Sequence, residues 1–140
     1  MFVLDTNVVS ELRKVKSGKA DMNVAAWSAT ALPSTLFLSA ITILELETGV
    51  LLLERRDSRA GAVLREWLDS HVLPAFAGRI LAFAEVIAKR CGALHVPDQR
   101  GQRDSIIAAT ALVHRMTVVT RNVMDFESTG VAIVNPWDPV

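Results

Sequence analysis

The opening five residues, Met1-Phe2-Val3-Leu4-Asp5, constrain this chain more than any other stretch: an apolar run without flanking charge stops at a carboxylate. A strand apolar on both faces belongs at the centre of a parallel sheet, covered by helices on each side. Asp5 then stands at the carboxyl end of that strand, which is where open α/β sheets form their binding crevices. The rest of the chain is read for what it returns to that point.

Alternation of strands and helices continues along the sequence. After Asp5, Thr6 and Asn7 supply capping chemistry for a short helix through Val8, Val9 and Leu12, and the polar stretch Arg13 to Lys19 reads as a loop. Asn23 is the expected N-cap of a second helix carrying Val24, Trp27 and Ala31 and ending at Pro33. Leu36 to Ser39 reads as a strand entering a helix with Ile43, Leu46, Val50 and Leu53 on one stripe, and Glu45 is expected in its first turn, facing the crevice. Glu47 points elsewhere, because two helical steps turn it well away from Glu45. Ala60, Val63, Leu64, Trp67, Leu68 and His71 keep helical period, so an amphipathic helix is expected with Trp67 and His71 toward the core.

Arg79 to Phe83 reads as a third strand, Glu85 to Leu94 as a helix, and Asp98 to Arg103 as a polar loop. Asp104 is expected to cap a helix running to His114, whose alanines allow close packing on a sheet. Met116 to Thr120 is the fourth strand, followed by Arg121, Asn122 and Asp125, and Val131 to Val134 is the last. At 140 residues this makes one domain, 1–140, of the α/β class: a central parallel sheet of about five strands in an α/β/α sandwich.

Order alone brings Asp5, Glu45, Asn122 and Asp125 to the carboxyl edge of the sheet. Asp104 joins them, since a helix antiparallel to the strands begins at that edge. Several carboxylates in one crevice repel one another unless a cation neutralises them. Oxygen ligands without His or Cys select Mg²⁺ or Mn²⁺ over Zn²⁺, and such ions activate water in phosphodiester hydrolysis. Asp5, Asp104 and Glu45 are the expected ligands. Thr6 is expected to position Asp5, and Arg121 to touch a substrate phosphate. Lys plus Arg and Asp plus Glu both number 15, so a nucleic-acid partner would have to be met by a local patch. Cys91 is the only cysteine, which forbids an internal disulfide and suits a cytoplasmic protein, with Cys91 as a small core residue. No signal peptide or membrane span is expected.

The wording of the motifs adds a resemblance. Leu4-Asp5-Thr6-Asn7-Val8, Ser39 to Leu46 with Gly49, Asp104 to Leu112, Thr120 to Phe126, and the terminal Asn135-Pro136-Trp137 resemble the PIN-domain ribonucleases, closest to the VapC and FitB type of toxin from bacterial toxin-antitoxin pairs. The resemblance covers nearly the whole chain. It implies a five-stranded α/β/α fold, a Mg²⁺- or Mn²⁺-dependent endoribonuclease, a homodimer and a small cognate antitoxin of the VapB or FitA kind. It places the first three family acids on Asp5, Glu45 and Asp104. The fourth falls on Asn122 or Asp125, which leaves one metal or two open. The segment Leu51 to Trp67 is the expected dimer surface, and the antitoxin is expected to enter the crevice in competition with the ion. The rival reading is a PIN-like module that binds RNA or a partner without cutting. Haloacid-dehalogenase-like phosphatases want an Asp where Asn7 stands, and receiver domains want a Lys where Asn135-Pro136 follows the last strand.

Overall fold

The computed structural model describes residues 1–139. Five parallel strands, β1 (Phe2–Leu4), β2 (Leu36–Ser39), β3 (Ile80–Leu81), β4 (Thr117–Val119) and β5 (Ile133–Val134), lie in the order β3-β2-β1-β4-β5. The first strand is central, as its two-sided apolarity requires. Phe2 pairs with Leu36 on one side and Thr117 on the other, and Leu4 with Val119. Alternation across the pleat sends Val3 and Val118 to one face and Leu4 and Val119 to the other. All four are fully buried.

The Leu4 face is covered by α1 (Thr6–Leu12), α2 (Met22–Thr30), α3 (Ala40–Arg56) and α4 (Ser58–Trp67): α1 contributes Val8 and Val9 to the core and α3 Leu46 and Val50, with Trp27 of α2 and Leu64 of α4 packed against them. The Val3 face is covered by α7 (Gln102–His114) and the short α8 (Met124–Glu127), through Ile107, Ala108, Ala111 and Phe126. A three-residue turn of helix, α5 (Leu73–Ala75), precedes β3, and α6 (Glu85–Leu94) packs on the outside of α7 through Ile87, Cys91, Ile106 and Ala109. Cys91 is a buried core residue, as expected.

Helices α3 and α4 form a tight hairpin. Gly61 lies so close to α3 that a Cβ there would sit 2.4 Å from the Glu54 Cα. Arg65 of α4 reaches back to Glu47 with two hydrogen bonds of 2.6 and 2.7 Å, which confirms that Glu47 faces away from the crevice.

Three local expectations are corrected. Helix α2 is capped by Asp21, whose carboxylate accepts from the N–H groups of Asn23 and Val24, while the Asn23 side chain donates instead to the Trp137 carbonyl. An acidic group two residues earlier captured the free N–H donors first. The α4 pattern continues beyond Trp67 as a π-helical turn, Leu68–Val72. That wider turn changes the phase, so Val72 enters the core and His71 is exposed. Trp67 does pack on the core. Finally, α7 starts at Gln102 with Gly101 as its cap, so Asp104 is its third residue rather than its N-cap, and the polar loop is shorter than expected.

Candidate active site

Backbone geometry delivers Asp5 to the crevice in a double capacity. Its N–H still belongs to the sheet, donating to the Val119 carbonyl at 2.9 Å, while its side chain caps α1 by accepting from the Thr6 N–H at 2.7 Å. The other carboxylate oxygen accepts from the Thr120 hydroxyl at 2.8 Å and the Asn7 amide at 3.2 Å. Thr120 is completely buried and Asp5 only 5% exposed. Thr120 also accepts the Asn122 N–H at 3.0 Å, so one hydroxyl fixes both the carboxylate and the turn leaving β4.

Glu45 is the sixth residue of α3 and therefore stands in its second turn, not its first. It still faces the crevice. The Thr6 hydroxyl donates to one of its oxygens at 2.9 Å, and Arg103 donates to the other at 2.5 Å. Thr6 thus holds Asp5 through its backbone and Glu45 through its side chain, where only a role toward Asp5 was expected. The same hydroxyl also lies 3.4 Å from the Thr42 hydroxyl of α3.

Asp104 sits in the first turn of α7, where the free N–H groups of the helix end favour a negative charge. The helix is anchored there by the preceding loop. The His95 imidazole accepts the Arg100 N–H through Nδ1 at 3.1 Å, and its Nε2 lies 3.1 Å from the buried Ser105 hydroxyl.

Asp5, Thr6, Asn7, Ser10, Glu45, Arg103, Asp104, Asn122 and Asp125 line a single open cavity of about 330 Å³. All five residues expected to carry the chemistry are therefore brought together. Arg121 is not among the lining residues; its guanidinium lies over the Trp137 ring, 5.2 Å from the centroid. Sequence reading missed Thr120 and Arg103. Neither has a local signal, since each meets its partner across a long stretch of chain.

Electrostatics follow from this crowding. Burial pushes the Asp5 carboxyl above its ordinary value, opposed by the hydrogen bonds from Thr120 and Thr6. Burial together with the charges of Asp5, Asp125 and Glu45 pushes Asp104 up to about 6, with Arg103 acting in the opposite sense. One guanidinium does not balance four carboxyl groups. The donors are all oxygen and their charge is in excess, which is the condition a hard divalent cation satisfies. Among the described residues no three Asp, Glu, His or Cys side chains form a ready-made cage for an ion. Magnesium commonly uses one or two carboxylates and keeps several waters, so the set fits that mode of binding.

The PIN domain description matches residues 2–131. The chain belongs to the PIN domain family. This PIN domain is 40% identical over 145 residues to VapC ribonuclease Y4jK of Sinorhizobium fredii, covering 99% of each chain. It is 39% identical over 142 residues to toxin FitB of Neisseria gonorrhoeae, covering 98% of this chain and 99% of FitB. Among solved structures, FitAcB from Neisseria gonorrhoeae superposes with a TM-score of 0.88 at 38% identity, covering 98% of this chain and 99% of that one. FitAB bound to an IR36 DNA fragment gives 0.89 at 36% identity, with 100% and 98% covered. The expected fold and family are thus both found, and the chain is a homologue of the VapC and FitB toxins. No helix among the described residues is long and apolar enough to cross a membrane.

Proposed function

We propose that this PIN domain is the endoribonuclease toxin of a toxin-antitoxin pair and cleaves RNA in a Mg²⁺- or Mn²⁺-dependent reaction. The observation that carries the reading is the single cavity in which Asp5, Glu45, Asp104 and Asp125 meet at the carboxyl edge of the sheet. Its relatives VapC ribonuclease Y4jK and toxin FitB support the activity and the toxin role. The structural neighbour FitAB, bound to DNA, supports a small antitoxin partner of the FitA or VapB kind.

In this reading Asp5 and Asp104 hold the ion, with Glu45 toward its water shell. A bound divalent ion supplies an activated water and charge stabilisation for the leaving oxygen. The chain's own residues do the rest. Thr120, Asn7 and the Thr6 N–H fix both Asp5 oxygens so that the carboxylate needs no reorganisation on binding. Asp125 adds negative charge felt by both Asp5 and Asp104, while Asn122 offers the cavity a neutral amide. Asp125 is therefore the better fourth acid. A homodimer belongs to the proposal: Leu51, Leu52 and Val63, at 53%, 63% and 61% exposed, leave apolar side chains of the α3–α4 hairpin open to a partner surface.

The test is cleavage of total RNA by purified protein with Mg²⁺, with Mn²⁺ and with EDTA, beside an Asp5→Asn control. Metal-dependent cleavage lost in Asp5→Asn is expected. Equal RNA breakdown by both proteins, or RNA binding with no cleavage under any metal, would favour the binding-module reading instead.

A further inference from the structure

We propose that Arg103 is an exchanging cation, pairing with Glu45 in the arrangement seen here and turning to an RNA phosphate when a divalent ion engages Glu45. The inference rests on the ribonuclease reading and assigns a positioning and substrate-binding role to a residue outside the acidic set.

Three observations carry it. The first is delivery: Arg103 and Asp104 are adjacent in the first turn of α7, so the same rigid element brings a cation and an acid to the cavity. The second is the form of the contact. Arg103 reaches Glu45 through one nitrogen, at 2.5 Å, while its side chain stays 66% exposed. A guanidinium carries five N–H donors in a planar fork suited to phosphate. Among the described residues the others have no hydrogen-bond partner, so most of the fork faces solvent at the cavity's mouth.

The third is how Glu45 is divided. One oxygen accepts from Thr6 and the other from Arg103, so an ion or its water engaging that second oxygen must share it with, or displace, a guanidinium of like charge. An ion pair with one end this open to solvent is held weakly, which makes the exchange easy. A guanidinium beside the acids also opposes the arrival of a second cation. Moving it from Glu45 to a phosphate removes that opposition at the moment RNA is present. Metal and RNA should therefore reinforce each other's binding, and by linkage the effect must appear in both directions.

The experiment measures binding rather than turnover. Mn²⁺ affinity is taken by calorimetry for the wild type, Arg103→Gln and Arg103→Lys. Affinity for a short single-stranded RNA of mixed sequence is taken by fluorescence anisotropy with and without Ca²⁺. Arg103→Gln should bind Mn²⁺ roughly three- to tenfold tighter, the size of one unit charge acting across a partly solvated site. Arg103→Lys should stay near the wild type. Ca²⁺ should strengthen RNA binding by the wild type and lose that effect in Arg103→Gln. Unchanged or weaker Mn²⁺ binding in Arg103→Gln would overturn the proposal, as would an RNA affinity lowered by the same factor with and without Ca²⁺. A wild type that binds no Mn²⁺ and cuts no RNA would sink the ribonuclease reading itself, a result distinct from either.

Discussion

Replacing Asp104 with Asn should make the protein more stable at neutral pH while abolishing cleavage. In the folded chain Asp104 is raised from an ordinary 3.8 to about 6, by burial first and then by the charges of Asp5 and Asp125. At about 1.4 kcal/mol per pH unit, keeping it ionised above that range costs the fold ~3 kcal/mol. Partial exposure and salt reduce this to about 1–2 kcal/mol. The sign follows from proton counting. Between the two values the folded state holds more proton than the unfolded state, so stability falls as pH rises from about 4 to about 6 and is level above. Asn is a near isostere that carries no charge, so Asp104→Asn should remove this part of the slope. For a domain of this size, 1–2 kcal/mol corresponds to a rise in Tm of about 3–8 °C near pH 7.5. Near pH 4, where Asp104 is already neutral, wild type and variant should melt together. Thermal melts in EDTA across that range provide the measurement. A variant that melts at or below the wild type near neutral pH would show that Asp104 is not under like-charge stress, and the electrostatic argument for a cation would lose its footing.

Two further outcomes follow from contacts already described. Thr120→Val keeps shape but removes the buried hydroxyl on Asp5, so stability near neutral pH should fall by about 1.5–3 kcal/mol, measured by urea unfolding. The carboxyl of Asp5 should also move further upward, shifting the acidic limb of the cleavage profile to higher pH. Gly61→Ala forces a methyl against the Glu54 backbone, so the α3–α4 hairpin must part at a cost of about 1–3 kcal/mol despite alanine's better helix propensity. Because Gly61 is remote from the acids, the Mn²⁺ affinity of the folded variant should not change.

What could be read from the sequence and what could not divide along a physical line. Asp5, the strand over Leu36 to Ser39 and the helix over Glu85 to Leu94 were legible because period and abrupt changes of polarity are local signals. The opposite directions of Glu45 and Glu47 followed from helix geometry alone. Caps were less legible, because Asp21 and Asn23, or Gly101 and Asp104, compete for the same few N–H groups, and the choice depends on where the chain enters the helix. The π-helical turn that exposes His71 leaves no mark in a 3.6-residue pattern. Thr120 on Asp5 and Arg103 on Glu45 join positions 115 and 58 residues apart, and a single sequence holds no record of such meetings.

The central place of β1 has a consequence for the birth of the molecule. Asp5 is translated first among the acids, with Thr6 and Asn7 directly behind it, yet two of the groups that hold it arrive near the end: the Val119 carbonyl that receives its N–H and the Thr120 hydroxyl. A domain folds as a unit, and a nascent chain that has not yet released β4 has an open edge where its crevice should be. The crevice of a nuclease wired in this way is complete only once β4 and the turn after it have been made.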